Sequence, residues 1–138
     1  MKKRTFFVIG LAVLLVIAVV LLGNRGGNVR SVQRIVGEST IYTDAEIEDA
    51  MDVVEQKFKK DFYDCKLLRL EYNEGKTLTE RFYRAEQYGV ERVIVLESDY
   101  YVGNHAEACF TPDYTYQNWK WILTDEGDGW LLRTSGYG

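Results

Sequence analysis

The side chains able to do chemistry are few and sit late in the chain. Glu97 and Asp99 stand toward the end of an apolar run, and His105, the single histidine, follows. A carboxylate held in an apolar cavity between a helix and a sheet can act as a general acid or base, and a histidine can share the proton. Against that, carboxylates at strand ends are usually solvated and a lone histidine is commonly incidental. Asp99, His105, Glu107 and Asp113 include donors that could ligate a metal. Asp125, Glu126 and Asp128 crowd one turn but lack the alternating oxygen ligands of a calcium loop, so they read as a solvated turn. No metal and no cofactor is expected.

Nucleophile chemistry has no motif. There is no G-x-S-x-G, no glycine-rich phosphate loop and no C-x-x-C, and neither Cys65 nor Cys109 has a fitting histidine neighbour. The two cysteines are either a disulfide closing a loop of about 45 residues or two separate thiols, Cys65 serving as a small buried hydrophobe. An enzyme is therefore not the expectation. The remaining candidate is the set of aromatics in and around the loop from Gly103, namely Tyr100, Tyr101, Phe110, Tyr114 and Tyr116. Exposed, they suit recognition of a protein, peptide or glycan. Folded back, they would plug the open end of a sheet.

The elements that must position these groups can be read from caps and periodicity. Thr43 with Glu46 forms a capping box, and Ile47, Ala50, Met51, Val54, Phe58 and Phe62 recur on one stripe, which predicts a core-facing helix ending near Lys59 and Lys60. Cys65 to Tyr72 reads as a strand ending at Asn73-Glu74-Gly75. A second helix is expected from about Thr77, carrying Leu78, Phe82 and Ala85 inward and stopping at Gly89. Arg92 to Val102 is a buried strand, and Gly103 to Asp113 a loop. Tyr114 to Thr124 and Trp130 to Tyr137 form a hairpin through Asp125 to Gly129. Strict alternation puts Trp119, Trp121 and Leu123 on a core face, and Tyr114, Tyr116, Asn118, Lys120 and Ile122 on the other. Val32 to Tyr42 adds a short first strand. The order implies an α+β domain with helices packed on one face of a curved antiparallel sheet.

Ahead of this domain, Phe6 to Leu22 carries no charged or polar side chain and follows Lys2, Lys3 and Arg4. From Thr5 to Gly23 a helix would reach roughly 28 Å, close to the thickness of a bilayer core. The run exceeds a signal h-region, and Leu21-Leu22-Gly23-Asn24 lacks an A-x-A cleavage site, so a retained single-pass anchor over 1–23 is preferred to a cleaved signal. The same exit looks like a lipoprotein box with Asn24 in place of the lipid-bearing cysteine. The basic N-terminal flank predicts the body outside the cytoplasm. Residues 24–31, Gly-rich and basic, read as a flexible spacer before an extracytoplasmic domain at 32–138. Past Arg4, 14 basic residues face 21 acidic ones, a balance unsuited to nucleic acid or to anionic lipid surfaces.

The ending Asn118-Trp119-Lys120-Trp121-Ile122-Leu123, then Gly129-Trp130 and Gly136-Tyr137, resembles a family of small Gram-positive bacterial surface proteins, often lipoproteins, of unknown function. Glu46 to Val54 and Phe62 to Leu67 are similar too, so the likeness spans about residues 40 to 138. Ser135 stands where that family usually has Trp. The resemblance implies an NTF2-like or cystatin-like fold, a helix cradled by a curved sheet, and brings no activity with it. Two roles follow as expectations: a binding or accessory module of the envelope, or a small-molecule enzyme or ligand carrier using the cone cavity.

Overall fold

The computed structural model describes residues 10–15 and 26–137. Its elements run β1 (Gln33–Ile35), α1 (Asp44–Asp61), β2 (Cys65–Tyr72), α2 (Glu74–Tyr88), β3 (Val93–Val102), β4 (Tyr114–Asp125) and β5 (Trp130–Gly136). The strands form one sheet in sequence order. β1 is parallel to β2 and every other pair is antiparallel, so the domain is α+β with a mixed sheet rather than the purely antiparallel one expected. Residues 10–15 are helical, with Leu11, Val13, Leu14 and Leu15 exposed. The rest of the apolar run, and with it the expected spanning helix, lies outside the described residues. Among those described, no helix is long and apolar enough to cross a membrane.

The caps explain where α1 starts. The Thr43 hydroxyl accepts the Glu46 N–H and the Glu46 carboxylate accepts the Thr43 N–H, the reciprocal box that satisfies two end donors. Its buried stripe is Ile47, Ala50, Met51, Val54 and Phe58. This stripe packs with Leu70, Ile94, Leu96, Tyr100, Trp121 and Leu123 in the main core. Arg92 fastens the start of α1 to the hairpin, pairing with Glu46 at 2.8 Å and Asp125 at 3.3 Å while its guanidinium lies over the Tyr42 and Trp130 rings.

The second helix departs from expectation in three ways. It is capped by Asn73, whose side chain accepts the Lys76 N–H, and so begins three residues before Thr77. It lies on the opposite face of the sheet from α1: Lys76 pairs with Glu97 and Glu80 with Lys120, both on the side where Val93, Val95 and Ile122 form a second small core with Val90. Finally, its sheet-facing residues are polar, and Leu78, Phe82, Tyr83 and Tyr88 point outward, 51 to 68% exposed. Gly89 ends it in the left-handed region, as its position suggests.

The reason for this placement is backbone accounting. β2 pairs with β3 only from Val102 to Leu96, leaving the first residues of β3 without a strand on that side. The Tyr42 hydroxyl donates to the Val93 carbonyl at 2.7 Å and accepts the Val93 N–H at 3.1 Å. Thr77 Oγ1 accepts the Val95 N–H at 3.0 Å, and the Asn73 N–H donates to the Val95 carbonyl. The Tyr42 hydroxyl and the start of α2 thus substitute for the missing strand, each satisfying two otherwise orphaned backbone groups.

The stretch read as a spacer is attached over residues 26–31. The Gly27 N–H donates to the Lys59 carbonyl, Asn28 donates to Cys65 and accepts from Leu67, and Asn28 forms a parallel bridge with Lys66. A Cβ on Gly26 would run into the Lys59 carbonyl oxygen, and one on Gly27 into the Phe58 carbonyl and ring. Only glycine lets this chain lie so close to the end of α1.

Candidate functional site

Three register shifts decide which side chains face inward. On β2 the pairing slips at Leu68, on β4 between Trp119 and Tyr116, and on β5 at Arg133. Each adds one residue to one strand, bending it and inverting its alternation beyond that point. In β4, Asn118 takes φ 54 at the extra residue. Tyr116 is thereby turned to the same side as Trp119, the reverse of the strict alternation expected. Its ring stacks on Tyr100 at 5.2 Å and meets Trp119 edge-on at 5.6 Å.

The result is a continuous aromatic mass filling the space between the end of α1 and the sheet. Phe62 contacts Phe58, Tyr100, Phe110 and Trp121 with ring centres 4.7 to 5.5 Å apart. Tyr137 closes over Tyr116 and Trp119. Of the five loop aromatics singled out, Tyr100 is fully buried and Phe110 and Tyr116 are half-buried within this mass, while Tyr101 and Tyr114 are exposed. The Tyr101 hydroxyl donates to Asp113 at 2.6 Å, which raises its pKa. Burial pushes the Tyr100 hydroxyl well above the usual tyrosine range, so it is no acid near neutral pH.

Glu97, Asp99 and His105 are not brought together. Glu97 and Asp99 lie on the outer face, away from the aromatic interior. Glu97 pairs with Lys76 at 2.6 Å and accepts from Asn73 at 3.0 Å. Asp99 is gripped by both Nε and Nη2 of Arg69 and accepts the Asn118 N–H. The bidentate arginine holds its carboxyl below the usual range, against the opposing effect of burial. His105 is bound through its backbone N–H to Asp64, with its ring exposed. Among the described residues no group of His, Cys, Asp and Glu gathers closely enough to hold a metal. In the hairpin turn, Asp125 accepts the Gly127 and Gly129 N–H groups, a local turn contact.

The Asp99 pair predicts an acid response. A carboxyl whose folded pKa is depressed contributes stability above its unfolded value, and that contribution is lost as pH falls through the folded one. Asp99→Asn should cost about 2 kcal/mol at pH 7, and the gap to the parent should close below about pH 4. Urea midpoints measured across pH 2 to 7 would show a constant gap if Arg69 contributed nothing.

Both cysteines are free, Cys65 buried and Cys109 exposed. Burial, with Asp64 adding to it, pushes the Cys65 thiol up to about 12. Maleimide should therefore label Cys109 within minutes and Cys65 only in denaturant, which mass spectrometry of tryptic peptides would resolve. Equal labelling of both in the folded chain would contradict this placement.

Sequence reading missed the outward apolar face of α2, and with it a cleft beside it. This cleft, of about 440 Å³, is lined by Arg84, Tyr88, Val90, Thr124, Glu126 and Arg133. The signal for the helix face is the spacing of Leu78, Phe82 and Ala85, which marks one apolar stripe without saying whether it faces the sheet or solvent. No protein-family model matches the chain, and neither a curated protein nor a solved structure does.

Proposed function

We propose that this chain is a single-pass, membrane-anchored protein whose extracytoplasmic α+β domain, of NTF2-like or cystatin-like kind, is a binding or accessory module of the cell envelope. The observation that carries the module reading is the aromatic mass between α1 and the sheet. The space that a catalytic or carrier cone would need is taken by Phe58, Phe62, Tyr100, Phe110, Tyr116 and Trp121. Chemistry is thereby disfavoured inside, and recognition is left to the surface. The apolar run Phe6 to Leu22, the likeness to Gram-positive surface proteins and the exposed apolar side chains of residues 10–15 support the anchor.

The surface best suited to recognition is the outer side of α2. Leu78, Phe82 and Ala85 follow helix spacing and are joined by Tyr83, whose ring meets Phe82 edge-on. Residue 26 sits at the Cys65 end of β2, and α2 begins at the Tyr72 end, seven residues or about 23 Å away. In the tethered protein this face is therefore held off the bilayer, and its occupant is a protein presenting an apolar groove or helix. A photo-crosslinking residue at position 82 in intact cells should give one discrete adduct, and the same residue at Gln56, exposed on α1 across the sheet, none. The address is tested separately: protease added to intact cells should reach the domain. Protection until lysis would overturn the envelope reading, and no adduct at position 82 would overturn the partner face.

A further inference from the structure

The cleft between the last turns of α2 and the β4–β5 hairpin is independent of the anchor and of the outward α2 face. Its polar groups converge from three elements. Arg84 comes from α2, and its Nε–H is buried without a hydrogen-bond partner. Thr124 comes from β4. Arg133 comes from β5 at the extra residue of the register shift, a position that re-aims a side chain. The Arg133 Nε donates to Thr124 Oγ1 at 2.7 Å, which holds the guanidinium in place and leaves its outer donors to Glu126 at 3.4 Å or to a ligand. The apolar walls are Val90 and the Tyr88 ring, over which the Arg84 guanidinium lies at 5.9 Å.

The charges around the cleft leave one positive charge unbalanced. Glu80 is shared between Arg84 at 3.5 Å and Lys120 at 3.6 Å, and Glu126 faces Arg133. Three cations therefore meet two carboxylates, in a chain whose net charge is −4. The Arg84 Nε–H makes no hydrogen bond although the Glu80 carboxylate lies 3.5 Å from it, so that ion pair is loose and an incoming carboxylate can compete for the guanidinium. A planar, singly charged oxyanion matches two guanidiniums better than a dianion matches this net charge.

The geometry points to a binding site for a small organic carboxylate, its charged group between Arg84 and Arg133 and its apolar or aromatic body against Tyr88 and Val90. The test uses the isotope-labelled full-length chain in detergent, titrated with phenylacetate while the arginine Nε–H resonances are followed. The resonances of Arg84 and Arg133 should move together and saturate. The alcohol of the same shape should not move them, and inorganic phosphate should bind at least about tenfold more weakly. Arg84→Gln and Arg133→Gln should each weaken phenylacetate about tenfold, the loss of a charge-assisted hydrogen bond. Arg133 is exposed, so its variant stands in if the Arg84 variant does not fold. No saturable shift at these two arginines, equal binding of phosphate, or undiminished binding by the Arg133 variant would each overturn the site.

Discussion

Trp121→Ala should lower the stability of the domain by about 4 to 5 kcal/mol, toward the upper end of the range for removing a large buried aromatic. Trp121 is fully buried, packs against Phe62 with ring centres 5.4 Å apart, and donates from Nε1 to Ser98 Oγ at 2.8 Å. The substitution therefore opens a cavity and removes the hydrogen bond that the Ser98 oxygen accepts, leaving that hydroxyl its donation to the Trp119 carbonyl at 3.5 Å. A domain of this size has only about 5 to 15 kcal/mol in hand, so Trp121→Phe is the informative companion. It keeps most of the volume, loses the hydrogen bond and should cost about 2 to 3 kcal/mol. Urea melts give both values, and a loss under 1 kcal/mol for the alanine variant would mean the indole is not in the core.

Gly27→Ala should release the strap formed by residues 26–31 and cost about 2 to 3 kcal/mol, the scale of an overpacked contact that backbone must move to relieve. The added methyl meets the Phe58 carbonyl and ring, both fixed by the end of α1. Amide hydrogen exchange checks this residue by residue. The Asn28 and Leu67 amides, which bond to Cys65 and Asn28 respectively, should lose protection, while Leu96 and Trp121 in the middle of the sheet keep theirs. Unchanged protection at Leu67 would show that the strap does not depend on that glycine.

Much of the scaffold was legible because local rules and tertiary packing agreed. The Thr43 box, the Ile47 to Phe58 stripe, the strand Cys65 to Tyr72 and the Gly89 stop each carry their own signal in residue type and spacing. Two things were not legible. An alternating pattern shows faces only as far as the next register shift, so Tyr116 went to the wrong side at Asn118, where the chain takes a left-handed residue that asparagine tolerates. Helix α2 has an apolar stripe that looks like a core face. Its position is set instead by Asn73 and Thr77 completing the edge of β3, and that demand turns the stripe outward. Of the acid/base and metal candidates, Glu97 and Asp99 share the outer face of β3, as period two requires, but each is held by its own cation, Lys76 and Arg69, and His105 lies past the strand with its ring in solvent.

The strap at Asn28 has a mechanical consequence. Its bridge to Lys66 and the β1 pairing both run parallel to β2. A pull applied at residue 26 along β2 thus enters the sheet along the strand axis. The hydrogen bonds there are loaded side by side in shear. Tension applied at residue 26 should be borne by the whole β2 ladder at once.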